Sequence, residues 1–513
     1  MTRRADPFAA PFATGVRRMA ALSFALLAVQ ALAAGYWGFV RADALAARPD
    51  NPRRIAFDAH IHRGRLLDRN GAELAVTRFD ADGTPSRVYP LPAAAPVTGY
   101  QTWRYGAGAL RGATYGAGGA EAAYDAALRG DLGRPLGAVL ATRVLGRPQI
   151  GHDVVLTLDA GLQTVAAEAL GDAEGAVVVV DVADGAVRAL VSEPTFDPAA
   201  LDEQVDPPDD PSAPLFNRAT QGRYPPGSTF KTVTLAGALA ENITRLDSIV
   251  DDGGDAVGSF GGYAVRCTNQ PADAVRFDIA HAFAYSCNLT FARLGADLGR
   301  ERWLKHARAF GIDAAPPFPL ATAAGQLSND GALALPELVS AAFGQGEVLA
   351  TPLHMALVAA AIAGDGTVPT PYLLADVPGV RWWAIGDERG TWRRAVSAGV
   401  AGQVRQAMIT AAEVGYNGTA QLAGGPRIGG KTGTAEAGDG RPHAWFIGFA
   451  PADAPRVAVA VLVVHGGEGI RAAAPIAGRV LAAAVEADAA ATAAGSTTMP
   501  GPARRAATGW SRP

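Results

Sequence analysis

The chain of 513 residues carries 45 Lys and Arg against 49 Asp and Glu, a formal net charge of −4. That balance excludes a protein that binds polyanions by bulk charge. Charged residues are 18% and apolar residues 49%, which excludes an intrinsically disordered chain, and two cysteines can build neither a disulfide framework nor a four-thiolate zinc site. The length allows roughly two to four domains.

Arg3, Arg4, Arg17 and Arg18 precede or flank the start of an uncharged run of 22 residues, Met19 to Val40. As a helix that run crosses a hydrocarbon layer of roughly 30 Å. Tyr36 and Trp37 suit the interface, and the arginines hold the leading end in the cytoplasm. Ala31-Leu32-Ala33 is compatible with a signal-peptidase site, and a buried core helix is the plainest alternative. Because the apolar run continues past Ala33, an uncleaved anchor is favoured. The expected layout is a cytoplasmic tail over 1–18, a transmembrane anchor over 19–40, and an exported remainder.

Residues 41–150 read as an extended, loop-rich module. Within it, Arg63 to Gly71 predicts a short strand ended by an Asn-Gly turn, and Glu121 to Leu128 one short helix. From about residue 151 the pattern sharpens. Val154–Leu158 predicts a strand, and Asp159 caps a helix through Leu170. Ala176–Val182 and Ala186–Val191 predict a hairpin around Ala183-Asp184-Gly185. Trp445–Ala450 and Val457–Val464 predict a second strand pair, followed by a final helix over Ala472–Ala487. Strands at both ends with helices between them predict one antiparallel sheet assembled from distant segments, an α+β fold. The Ala/Gly/Thr/Pro-rich tail over 488–513 is expected to be disordered.

Three short patterns carry chemistry. In Pro225-Pro226-Gly227-Ser228-Thr229-Phe230-Lys231, the turn places Ser228 at a helix start with Lys231 on the same face. A neutral lysine there can take the serine proton, and the helix end favours the developing negative charge. A serine cap with a solvated lysine is the bland alternative. Ser286-Cys287-Asn288 follows the helical pattern Ile279–Tyr285 and puts a hydroxyl and an amide at a helix end, where a polar terminus would serve as well. Lys431-Thr432-Gly433-Thr434 leads toward a strand; glycine admits a ligand backbone, and the lysine and threonines suit a carboxylate. Its bland reading is a glycine-rich turn.

In this order, spaced by 58 and 145 residues, the three resemble the penicillin-binding proteins and serine β-lactamases. Asn217-Arg218-Ala219 ahead of Tyr224, Gly344-Gln345-Gly346, Thr351-Pro352-Leu353 and Met355-Ala356 resemble the transpeptidases, and Arg63-Gly64 with Asp68 to Gly71 resembles the start of their non-catalytic module. No glycosyltransferase domain fits in 41–150, so the resemblance is to the monofunctional class B. It implies a five-stranded antiparallel sheet flanked by helices over 151–487, a pedestal over 41–150, and a serine D,D-transpeptidase that cross-links peptidoglycan at the plasma membrane. It also implies stem peptides ending in D-Ala-D-Ala as substrates, β-lactams as inhibitors, a SEDS-type glycosyltransferase as partner, and neither cofactor, metal nor nucleic acid. The roles implied are Ser228 as nucleophile, Lys231 as base, Ser286 as proton relay and Asn288 as amide ligand. Lys431, Thr432 and Thr434 hold the carboxylate beside Gly433, and the amides of Ser228 and Thr434 form the oxyanion hole.

The alternatives on the same fold are a β-lactamase and a non-catalytic β-lactam sensor or scaffold. Glu413 to Asn417 matches Glu-x-x-x-Asn, but too near Lys431 for a deacylating loop, and the intact motifs oppose a dead scaffold. Phe230 breaks a Gly-x-Ser-x-Gly elbow, His60-Ile61-His62 lacks a third ligand, and no Walker loop is present. Cys267 and Cys287 are compatible with a disulfide, with two buried thiols the favoured reading.

Overall fold

The computed structural model describes residues 9–41, 61–81, 85–103, 114–133, 137, 141–142, 147–201, 213–329, 332–381, 386–414, 425–438 and 440–493. Contacts divide the chain into two units. One, residues 1–61 and 103–115, contains helix α1 (Ala9–Gly35), continued by a π-turn over Tyr36–Val40. Its stretch Thr14–Gly38 is 25 residues of helix, long and apolar enough to cross a membrane, with Leu22, Phe24 and Leu26 exposed.

The other unit, residues 62–102 and 116–513, opens with strands β1 (Leu66–Leu67), β2 (Glu73–Phe79) and β3 (Pro85–Val88). The Asn-Gly turn forms as expected. Asp68 Oδ1 accepts from the amides of Asn70 and Ala72 at 2.8 and 2.7 Å, and Gly71 adopts φ +90°. The single helix expected over Glu121–Leu128 is instead two one-turn pieces, Gly119–Ala123 and Asp125–Leu128. They bring the buried Glu121 carboxylate to Arg63 and Arg87 at 2.6 and 2.8 Å. Strand β4 (Val154–Leu156) leads to Asp159, which caps helix α2 (Ala160–Leu170) by accepting from Leu162 N at 3.1 Å.

Strands β5 (Gly175–Asp181) and β6 (Val187–Glu193) form the expected hairpin. Then come helices α3 (Lys231–Ala240), α4 (Ile279–Ala284), α5 (Asn288–Ala309), α6 (Leu335–Ala342) and α7 (Pro352–Ala363), the short strand β7 (Leu374–Asp376) and helix α8 (Ala398–Val414). Strands β8 (Gly429–Ala435), β9 (His443–Ala450) and β10 (Val457–Val463) and helix α9 (Ala473–Ala493) follow as the last elements among the described residues. The main sheet has five strands in the order β6-β5-β10-β9-β8, every pair antiparallel.

Both faces of this sheet are covered, so β5, β9 and β10 read as near-continuous apolar runs, while β8 carries the Lys431-Thr432-Gly433 motif. Val177, Val179, Val459 and Val461 pack with Leu162 of α2 and Leu481 of α9, whereas Val178, Val180, Ala460 and Leu462 join the core that contains the fully buried α7. Each fully buried valine or leucine contributes roughly 1.5–3 kcal/mol of transfer free energy. A second five-stranded sheet, β7-β4-β1-β2-β3, was not expected; β1, β4 and β7 have only two or three residues each, too short to show a period.

Two further expectations change. Helix α9 runs to Ala493, past residue 488, because Asp488 is held by the buried Arg188 at 2.9 Å; residues 494–513 lie outside the described residues. Cys267 and Cys287 are joined as a disulfide, with Cα atoms 4.5 Å apart, rather than being two thiols.

Candidate active site

Pro226 and Gly227 start a 3₁₀ turn over Gly227–Phe230 that runs straight into α3, so Ser228 and Lys231 share one face. This turn is pinned from two sides. Gly227 N donates to Gly344 O at 2.9 Å, and Trp445 Nε1 to Pro225 O at 2.9 Å. The approach needs glycine on both partners: Gly344 has φ +81°, and a Cβ there would lie 1.9 Å from Gly227 O. At Gly433 of β8 a Cβ would lie 2.8 Å from Pro226 O, so the third motif also touches the first through a glycine.

The second motif closes α4. Ser286 N bonds to Phe283 O and Cys287 N to Ala282 O, at 3.1 and 2.9 Å, with Ser286 at φ +59° in the left-handed position where glycine is usual. A serine held there costs of order 1–3 kcal/mol relative to an unstrained backbone. Cys287 Sγ, bonded to Cys267, accepts from Thr290 N at 3.3 Å, and Asn288 begins α5.

All three motifs converge on one chain of polar contacts. Lys231 Nζ donates to Ser286 O at 2.7 Å and to Asn288 Oδ1 at 2.6 Å, and lies 2.9 Å from Ser228 Oγ and 3.1 Å from Ser286 Oγ. Two of these partners are carbonyl oxygens, which only accept, so they take two amine hydrogens. In a neutral lysine the remaining lone pair is left for a hydroxyl. Lys431 Nζ donates to Ser286 Oγ at 3.0 Å and to Thr432 O at 3.0 Å. Ser286 Oγ thus stands between two lysines and can accept from one while donating to the other.

Both amines are buried, Lys231 beside the ring of Phe291 and Lys431 beside that of Phe283, at 5.6 and 5.7 Å. Burial pushes the Lys231 ammonium well below the usual lysine range, and the neighbouring Lys431 charge pushes it the same way. Burial also brings Lys431 down to about 7.

In front of these groups lies a cleft of about 600 Å³ lined by Ser228, Ser286, Asn288, Thr432 and Thr434. Lys431 stands behind its wall. Sequence reasoning did not single out Thr268, Asn269, Glu436 and Glu468, which also line it, or the two phenylalanines under the lysines. Gln345 lines it too; the sequence marked it only as the centre of the transpeptidase-like Gly344-Gln345-Gly346 stretch, with no role assigned. Glu413 instead pairs with Arg427 at 2.6 Å on the surface, and Gly415 to Asn417 lie outside the described residues.

Comparison with known proteins points to one family. The family model described as the penicillin binding protein transpeptidase domain matches residues 175–482. The chain is 36% identical over 512 residues to the peptidoglycan D,D-transpeptidase PbpA of Mycobacterium tuberculosis, spanning 92% of this chain and 99% of that protein. It is 30% identical over 371 residues to the peptidoglycan D,D-transpeptidase MrdA of Escherichia coli, covering 63% of this chain and 56% of that one. Among solved structures, the penicillin G acyl-enzyme complex of penicillin-binding protein A from M. tuberculosis superposes with a TM-score of 0.71 at 34% identity, over 83% of this chain and 100% of that chain.

Proposed function

Since the chain belongs to the penicillin-binding protein transpeptidases, we propose that the cleft at Ser228 is a serine D,D-transpeptidase centre that cross-links peptidoglycan stem peptides and is acylated by β-lactams. The observation that carries this reading is the unbroken contact chain Ser228–Lys231–Ser286–Lys431, with a buried, charge-averse lysine beside the candidate nucleophile.

In the first half-reaction Ser228 Oγ attacks the penultimate D-Ala carbonyl carbon and gives its proton to neutral Lys231. The carbonyl oxygen becomes an oxyanion facing the amides of Ser228 and Thr434; one such donor is worth roughly 10²–10³ in rate. The C–N bond then breaks, and the departing D-Ala nitrogen recovers the proton from Lys231 through Ser286. An ester on Ser228 remains. In the second half an amine of a neighbouring stem peptide attacks that ester, loses a proton to the same base, and Ser228 leaves with its proton restored. Asn288 holds the substrate amide. The hydroxyls of Thr432 and Thr434 meet the terminal carboxylate, Lys431 supplies positive charge from behind them, and Gly433 keeps the strand free of a side chain that would strike the Ser228 turn.

The same reading makes residues 19–40 a single-pass anchor, 41–150 a pedestal, and 151–487 an extracytoplasmic catalytic domain working beside a SEDS-type membrane glycosyltransferase. The exposed apolar stretch Thr14–Gly38 supports the anchor. Fluorescent penicillin tests the site. The full chain should retain the label for many minutes and Ser228→Ala should take none. Equal labelling of both refutes the nucleophile, and rapid release of hydrolysed penicillin would make the protein a β-lactamase instead.

A further inference from the structure

Strand β8 is the last of the main sheet, so among the described residues no strand pairs with its outer edge. Along an antiparallel pair, residues alternate between turning both N–H and C=O toward the partner strand and turning both away. Thr434 turns away from β9, because its carbonyl accepts from Gln345 Nε2 at 3.3 Å. Two residues on, Glu436 N donates to Gln345 Oε1, also at 3.3 Å. One side-chain amide therefore answers an acceptor and a donor on the same edge, as peptide groups of an added strand would.

The two ends of Gln345 differ in how firmly they are held. Its main chain lies between Gly344 and Gly346, at φ +81° and +71°, and its amide donates to Ser340 O at 3.0 Å. The side chain is half-buried, lines the same cleft as Ser228, and makes these contacts at 3.3 Å, just beyond the usual N–H···O range. A long side chain on a fixed backbone can swing out without moving the turn that Gly344 O supports.

We propose that the Gln345 amide is a surrogate for a substrate peptide group. It is exchanged for the donor's own amide when an extended peptide pairs with Thr434 O and Glu436 N, and it thereby tunes selectivity for ligands that bring an amide to this edge. The inference rests on the acyl-transfer reading of Ser228. Exchange keeps the hydrogen-bond count level, since the released Gln345 amide is solvated.

The test compares second-order acylation constants of the full chain with two probes: benzylpenicillin, whose side-chain amide can reach the edge, and a carbapenem, which carries a hydroxyethyl group there. Removing the competitor by Gln345→Ala should raise the benzylpenicillin-to-carbapenem ratio by about 3-fold or more, the worth of one net hydrogen bond. Gln345→Glu keeps the length but sets a carboxylate against Thr434 O, so it should shift the ratio the same way. An unchanged ratio in both variants, or a parallel fall of both constants, overturns the proposal and makes Gln345 a fixed support of the strand. If the parent chain is acylated by neither probe, the reading of Ser228 itself fails, and the inference with it.

Discussion

On the proposed reading Lys231 is the base, and burial beside a second lysine is what favours its neutral form. Acylation should therefore rise with pH as Lys231 becomes neutral, over a range well below the free-lysine value near 10.4, and fall again where Lys431 loses the charge that faces the carboxylate. Lys231→Ala should cost roughly 10²–10⁴ in rate, and stopped-flow acylation across pH checks both. Lys431, brought down to about 7, links the site to stability. Between about pH 7 and about 10.4 the unfolded chain binds this proton and the folded chain does not, so stability rises with pH. The burden near pH 7 is on the order of 4 kcal/mol. Denaturant unfolding of the parent should gain that much over Lys431→Met as the pH climbs to about 10, and parallel curves would refute the shift. Ser286 adds a second test. At φ +59° glycine suits the backbone and alanine does not, so Ser286→Gly should be about 1 kcal/mol more stable than Ser286→Ala. Both lack the Ser286 hydroxyl that the proposed reading makes a proton relay, and should acylate equally poorly; melting and labelling together decide it.

Among the elements, the turn that carries Ser228, the Gly344–Gly346 loop and strand β8 behave as one assembly. Gly344→Ala places a methyl against Gly227 O and demands φ +81° of a residue that resists it. We expect a loss of about 1–3 kcal/mol and a larger relative loss of acylation, because the displaced atoms adjoin the nucleophile. Differential scanning calorimetry and penicillin labelling of the variant measure the two. The Cys267–Cys287 bond ties Asn269 and Thr268, on the cleft wall, to the middle of the second motif. Unreduced peptide mapping should find no alkylatable thiol, and replacing both cysteines by serine should cost about 3 kcal/mol for a loop of this length.

Across the whole molecule, what the sequence foretold follows physical period and spacing. Four of the five sheet strands were visible because both faces are buried and the runs stay largely apolar, whereas β8, with the sequence Gly429 to Ala435, carries no apolar run and was read as leading toward a strand. The Asp159 cap and the Asn70-Gly71 turn were visible because each is a local bond. The second sheet was invisible, since strands of two or three residues have no period and β4 meets β1 and β7 only through the fold. The three motifs could be named from sequence, yet their convergence could not be derived, because 145 residues separate Ser286 from a lysine 3.0 Å away. Nor could spacing tell that Lys431 turns toward Ser286 behind the cleft wall, or that Gln345 reaches the outer edge of β8.

The most direct test of Ser228 as the acyl carrier uses a substrate rather than an inhibitor. The full chain would be incubated with a stem peptide ending in D-Ala-D-Ala, quenched in acid, and mapped by mass spectrometry, then repeated with an amine acceptor before quenching. The expected result is an adduct on the Ser228 peptide equal to the donor less one D-Ala, which disappears as cross-linked product forms when the acceptor is present. An adduct on another residue, or cross-linked product formed by Ser228→Ala, would contradict the account.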